Sequence, residues 1–172
     1  AGPPVTTPAG HCHFLGGRTE PTPQGMRAAA RERADRGVDV IKVMVSGGTL
    51  TPGTRQEESQ FPAEVLRALV DEAHRLGLPV TAHAHGTAAI RQALDAGADG
   101  MEHVSFWTAD GIDDPGELAG RIVDSHVAVG ITSGVVPAPG FAPPPAVAMR
   151  LPHIIANTRR LYEAGAHVLI GT

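Results

Sequence analysis

A chain of 172 residues is long enough to enclose one hydrophobic core, and its balance of 14 Lys and Arg against 18 Asp and Glu, net −4 with no basic run, excludes the electrostatic footprint of a nucleic-acid binder. Aromatics at 3% leave no base-stacking platform, and the single cysteine, Cys12, excludes an internal disulfide. No apolar run approaches the ~20 residues of a membrane span and "AGPPVTTPAG" lacks the layout of a signal peptide, so the expectation is a soluble, cytoplasmic protein with no nucleic-acid or membrane partner.

The first periodic segment is "GMRAAARERADRG", Gly25 to Gly37, where Ala and Arg dominate and Gly37 is a natural stop; it predicts a helix. "VDVIKVMV" follows as a buried strand, Val38 to Val45, and a polar loop, "TLTPGTRQEESQ", comes next. "FPAEVLRALVDEAHRLG" is the clearest helix: Pro62 suits a first turn, and Val65, Leu66, Leu69, Val70, Ala73 and Leu76 make one apolar face. "LPVTAHA" reads as a strand, "TAAIRQALDAG" as a helix closed by Gly97, "ADGMEHVSF" as a strand, "DPGELAGRIVDS" as a helix and "HVAVGIT" as a strand. A long Pro-rich loop, "SGVVPAPGFAPPP", then precedes a helix, "HIIANTRRLYEAG", and a last strand, "AHVLIGT".

Five strands with helices between all of them demand a parallel sheet with crossover connections, either in a closed (β/α) barrel or in an open doubly wound sheet. No GxGxxG or GxxxxGK[ST] loop follows any strand, so a nucleotide-binding or oxidoreductase version of the open sheet lacks its usual marker. Five β-α units do not close an eight-stranded barrel, and the expectation is an incomplete barrel belonging to a longer polypeptide, with 1–172 a partial catalytic domain.

Three strands carry an ionisable residue where an apolar one is expected: Lys42, then His83 and His85, then His103. Strand alternation puts Val40, Lys42 and Met44 on one face, Thr81, His83 and His85 on one face, and Met101, His103 and Ser105 on one face, with Glu102 pointing the other way. A lysine between Ile41 and Val43 is costly unless its charge is removed or paired. Carbamylation by CO₂ would convert the amine into an anion able to bridge two divalent cations, and neutral histidines are natural companions for zinc. Lys42, His83 and His103 lie near the C-terminal ends of their strands, where barrel active sites are built. The structural alternatives are a lysine paired with a carboxylate and histidines hydrogen-bonded in the core; spacing alone leaves both open. His11 and His13 in "GHCHFLGG" repeat the His-x-His spacing, but "PPVTTPAG" is a poor strand, so this segment predicts a loop near the site. His74, His126, His153 and His167 read as structural, and Cys12 has no obvious activating base.

"DVIKVMVSGG", "VTAHAHG" with the following "AIRQALDAGADG", "MEHVSF" and the terminal "VLIGT" together resemble the amidohydrolase superfamily, in particular its imidazolonepropionase-like and Xaa-Pro dipeptidase-like branch, from about Thr6 onward. The resemblance implies an (β/α)8 TIM barrel, here incomplete, with a carboxylated Lys42, His83 and His103 as metal ligands to one or two divalent ions, Zn²⁺ being the expected metal. It implies His85 as a group that either supports the ligands from behind or faces the substrate, and His11 as a substrate contact. The family's first-strand His-x-His is not found upstream of Lys42, and its catalytic aspartate is expected just after Thr172, so no catalytic residue is assigned within the chain. The implied activity is metal-dependent hydrolysis of amide or peptide-like C–N bonds in small molecules by a metal-activated water. The alternative is a non-catalytic fragment or remnant of such a barrel. An incomplete barrel exposes sheet edges and apolar surface, so the chain in isolation is expected to self-associate or to bind the missing barrel segments. The Pro-rich loop is placed as a specificity element by position alone.

Overall fold

In the computed structural model, which describes residues 1–132 and 142–171, the chain alternates β1 (Ile41–Met44), α2 (Ala63–Arg75), β2 (Val80–Gly86), α3 (Thr87–Ala96), β3 (Gly100–Trp107), α4 (Glu117–Asp124), β4 (Ala128–Ile131), α5 (Pro145–Glu163) and β5 (His167–Ile170), preceded by α1 (Pro23–Asp35) and one 3-10 turn, His13–Leu15. Local chemistry sets several boundaries. Thr22 caps α1 by accepting the Gly25 N–H at 3.0 Å, with Pro23 in the first turn. Gly97 closes α3 in the left-handed conformation that an L side chain rarely adopts.

The strands form one parallel sheet in the order β1-β2-β3-β4-β5. That order decides between the two candidate architectures. A doubly wound sheet reverses its strand order at a switch point, whereas a barrel adds each strand beside the last. Among the described residues the order never reverses, and α1 packs on α2, α2 on α3 and α3 on α4. The chain is therefore a sector of a (β/α) barrel. Val5 adds a single parallel bridge beside β1, with its N–H on the Lys42 carbonyl at 2.8 Å and its carbonyl accepting the Met44 N–H at 2.9 Å. The weak N-terminal run thus lies in the sheet layer without becoming a strand, and it carries "GHCH" to the same sheet end as Lys42.

Alternation sorts the side chains into two layers. Ile41 and Val43 of β1, Val80, Ala82 and Ala84 of β2, Met101 of β3 and Val129 of β4 are fully buried against the helices, chiefly Leu66, Leu69, Val70, Ile90, Leu118 and Ile122. The register pairs Lys42 with Thr81, Met44 with His83, His83 with Glu102 and Glu102 with Gly130, so these share the opposite, inner face. Two expectations need correcting. Glu102 does not point away from the site: it lies on the inner face, and its carboxylate occupies the space a Cβ on Gly130 would need. Beyond it the backbone leaves strand geometry, with positive φ at His103 (76°), Val104 (43°) and Phe106 (56°). Between Ala84↔His103 and Gly86↔Trp107, β3 uses four residues where β2 uses two, so simple parity fails there. The last helix also starts earlier than expected, at Pro145 rather than His153. Pro152 lies inside it, and Pro145 sits in the first turn, where a missing N–H leaves nothing unpaired.

Candidate active site

β1, β2 and β3 deliver their ionisable residues to one end of the sheet, around a cavity of about 640 Å³. Lys42, His83, His85, His103, His11 and Cys12 all line it. The imidazoles form one cluster. His85 stacks on His103 with ring centroids 4.3 Å apart and planes 7° from parallel. His83 lies edge-on to both, at 4.7 and 4.6 Å, and His11 lies 4.6 Å from His83 on the far side. The ligand atoms of His83, His85 and His103 lie within 4.8 Å of one another, close enough to hold one metal ion.

Each ring is fixed from behind. His83 donates Nε2–H to the Gly47 carbonyl at 3.0 Å. His85 Nδ1 meets the Ser105 hydroxyl at 2.8 Å, and His103 Nδ1 meets the Thr132 hydroxyl. Nε2 of both His85 and His103 has no hydrogen-bond partner among the described residues. His11 is held by its backbone: its N–H donates to Gln60 Oε1 at 2.6 Å, and Gln60 Nε2 donates to the Met44 carbonyl at 2.6 Å, tying the N-terminal loop to β1. Its Nδ1 is buried and unpartnered. Gly48 makes room for the ring; a Cβ there would lie 2.5 Å from the imidazole.

The electrostatics suit metal ligation. Burial, with His103, then His11 and Lys42 adding, pushes His83 down to about 2; burial, with Lys42 and then His11 adding, brings His103 to about 4, and burial holds His85 well below its ordinary value. All three are neutral at pH 7, the form that offers a lone pair. Burial also lowers Lys42 to about 8, against the opposing pull of Glu102 and Cys12. The Cys12 thiol is pushed up by burial, so it is not a poised nucleophile.

The family model for the "Amidohydrolase family" matches residues 11–172. The chain belongs to the amidohydrolase family. An ochratoxinase from Aspergillus niger is 43% identical over 81 residues, covering 47% of this chain and 17% of that protein. Among solved structures, the A. niger ochratoxinase superposes with a TM-score of 0.71 at 27% identity, over 88% of this chain and 35% of that one. A Xaa-Pro dipeptidase with methionine bound in its active site gives 0.73 at 28%, over 98% and 46%. A putative prolidase from Bifidobacterium longum gives 0.74 at 26%, over 100% and 44%. The amidohydrolase chain thus spans under half the length of these relatives.

All five residues singled out in the sequence, Lys42, His83, His103, His11 and His85, reach the cavity. His85, which the resemblance sets apart from the ligands, has its ring nitrogens in the same group as those of His83 and His103. His74 pairs with Asp99 at 2.9 Å away from the cavity, and His126, His153 and His167 are exposed elsewhere. The Pro-rich loop falls largely on residues 133–141, outside the described residues; Pro143, at its end, lines the cavity. Sequence reasoning missed Glu102, because parity was counted through an irregular strand. It also missed Trp107, which lines the cavity from the end of β3; as the chain's one tryptophan at a strand's C-terminal end, it carried a usable signal.

Proposed function

We propose that the polypeptide carrying this amidohydrolase chain is a metal-dependent hydrolase of amide or peptide-like C–N bonds in small molecules. The observation that carries the reading is the meeting of Lys42 and three neutral histidines, supplied by three adjacent parallel strands, around one cavity. The names of the similar proteins, an ochratoxinase, a Xaa-Pro dipeptidase and a prolidase, point the same way.

In this reading Lys42, His83 and His103 hold one or two divalent ions, zinc being the metal that suits neutral imidazoles. With its pKa lowered to about 8, Lys42 exposes a fraction of free amine at neutral pH. That amine nitrogen can attack CO₂ and lose a proton, leaving a carbamate that carries the negative charge a cation needs. A divalent ion at such a site supplies Lewis-acid polarisation of a carbonyl and acidifies water. The chain's own contribution is placement. Ser105 and Thr132 fix the His85 and His103 rings, and Gln60 holds the His11 backbone. In this reading His11 and His85 are the substrate-facing groups, and both line the cavity.

The test is hydrolysis of a panel of N-acyl amino acids, dipeptides and aryl amides by the whole polypeptide, before and after removal of divalent metal by chelation. The reading expects amide cleavage that disappears on chelation and returns with zinc. Cleavage that survives complete metal removal would contradict it.

A further inference from the structure

We propose that Arg150 is a positioning residue of this site: its guanidinium sets the Trp107 ring, and through that ring the cavity wall beside His85. The inference rests on the hydrolase reading for its effect on turnover, and it adds a residue outside the cavity lining itself. Trp107 lines the cavity, is only 6% exposed, and stands at 71° to the His85 ring with centroids 6.4 Å apart. Its backbone is lightly held. Among the described residues β3 pairs with β4 only over Gly100–Glu102, and positive φ at His103, Val104 and Phe106 takes the strand out of regular geometry before Trp107. Trp107 itself keeps its register with Gly86 of β2 and one bridge to Ile112. Neither backbone contact fixes how the indole turns about its side-chain torsions.

Arg150 supplies that constraint. Its guanidinium carbon lies over the Trp107 ring, 4.6 Å from the centroid. Nε donates to the Gly111 carbonyl and Nη2 to the Ala109 carbonyl, both at 3.3 Å, and Nη1 donates to the Ala146 carbonyl at 3.2 Å. One side chain therefore touches the ring, the connection that follows β3, and its own helix. A guanidinium does this because its donors lie in its plane while its face stays free for a ring; an ammonium has no such face. Val147, Leu151 and Ile154 of α5 line the cavity within a turn of Arg150, so the guanidinium starts from the cavity side of the helix. The helix does not depend on it to stay docked. Asn157 Nδ2 donates to the Asp113 carbonyl at 2.7 Å, and Arg160 pairs with Asp114. Loss of the Arg150 guanidinium thus frees the ring more than the helix.

The experiment uses the whole metal-loaded polypeptide and its Arg150→Ala, Arg150→Lys and Asn157→Ala variants. Acrylamide quenching of Trp107 emission, taken against the same protein carrying Trp107→Phe, reads the ring without any substrate. KM and kcat are read on the N-acyl amino acids, dipeptides and aryl amides that test hydrolysis. Arg150→Ala is expected to raise Trp107 quenching at least about twofold and KM about 10-fold, with kcat within about threefold and metal content unchanged. Arg150→Lys, which keeps a cation but not the in-plane fork, is expected to recover part of both. Asn157→Ala loosens the helix elsewhere and is expected to lower the melting temperature while leaving quenching and KM at wild-type values. If the wild type cleaves none of these amides, the hydrolase reading fails and the rise in quenching alone decides this inference. Unchanged quenching in Arg150→Ala, or an Asn157→Ala protein that matches it in quenching and KM, would overturn the inference.

Discussion

Lys42 stands on a strand whose neighbours Ile41 and Val43 are wholly buried, and it turns to the inner face beside Glu102 and below the histidines. Glu102 in turn needs the absent side chain of Gly130. Adding a methyl there forces the carboxylate to move, so Gly130→Ala is expected to destabilise the fold by about 1–3 kcal/mol. Gly130→Ala combined with Glu102→Ala should recover part of that loss, as a double-mutant cycle followed by urea unfolding will show. Gly48→Ala makes a more local test, because its Cβ would meet the His11 ring. It is expected to lower turnover more than tenfold with a small change in melting temperature; unchanged turnover would remove His11 from the site. At this scale the sequence was legible wherever strand geometry is regular. Counting by twos correctly put His83 and His85 of β2 on one face with Lys42 of β1. It failed at Glu102 because His103, Val104 and Phe106 adopt positive φ, a choice that tertiary packing imposes and no local residue pattern announces.

Among the elements, α1 and α2 are joined by Glu72, which accepts from Arg75 and from Arg31 of α1, each at 2.7 Å. Arg75 and then Arg31 hold its carboxyl down at about 2. A carboxyl depressed in the folded state contributes stability that is complete above its unfolded value, near 4.3, and is lost as pH falls toward 2. The expected outcome is a melting temperature that drops across that window, with Glu72→Gln flattening the drop; an unaltered pH profile in the variant would contradict it. Helix α2 was plain from its apolar spacing, and Leu69, fully buried as that spacing requires, should cost about 2–5 kcal/mol on Leu69→Ala. The start of α5 was not legible, since Pro152 imitates a stop. The helix continues through it because Arg150 anchors the first half to the β3–α4 connection and Leu151 and Ile154 pack toward the cavity.

For the molecule as a whole, the sequential strand order and the single helix layer make the barrel sector unambiguous, and the alternation of strand and helix patterns already pointed to it. Among the described residues, β5 leaves apolar surface exposed: Leu169 is 50% and Ile170 81% exposed, and Tyr162 of α5 is 70% exposed. We propose that this chain in isolation buries that surface by self-association. Sedimentation is expected to show concentration-dependent oligomers, and a monodisperse monomer would count against it. No described helix is long and apolar enough to cross a membrane. The central claim, that Lys42 and the histidine cluster form a metal centre, is tested most directly by elemental analysis of the purified whole polypeptide beside its Lys42→Ala, His83→Ala and His103→Ala variants. The account predicts one or two divalent ions per polypeptide, falling by at least half in each correctly folded variant. Equal metal content in all four proteins would contradict it.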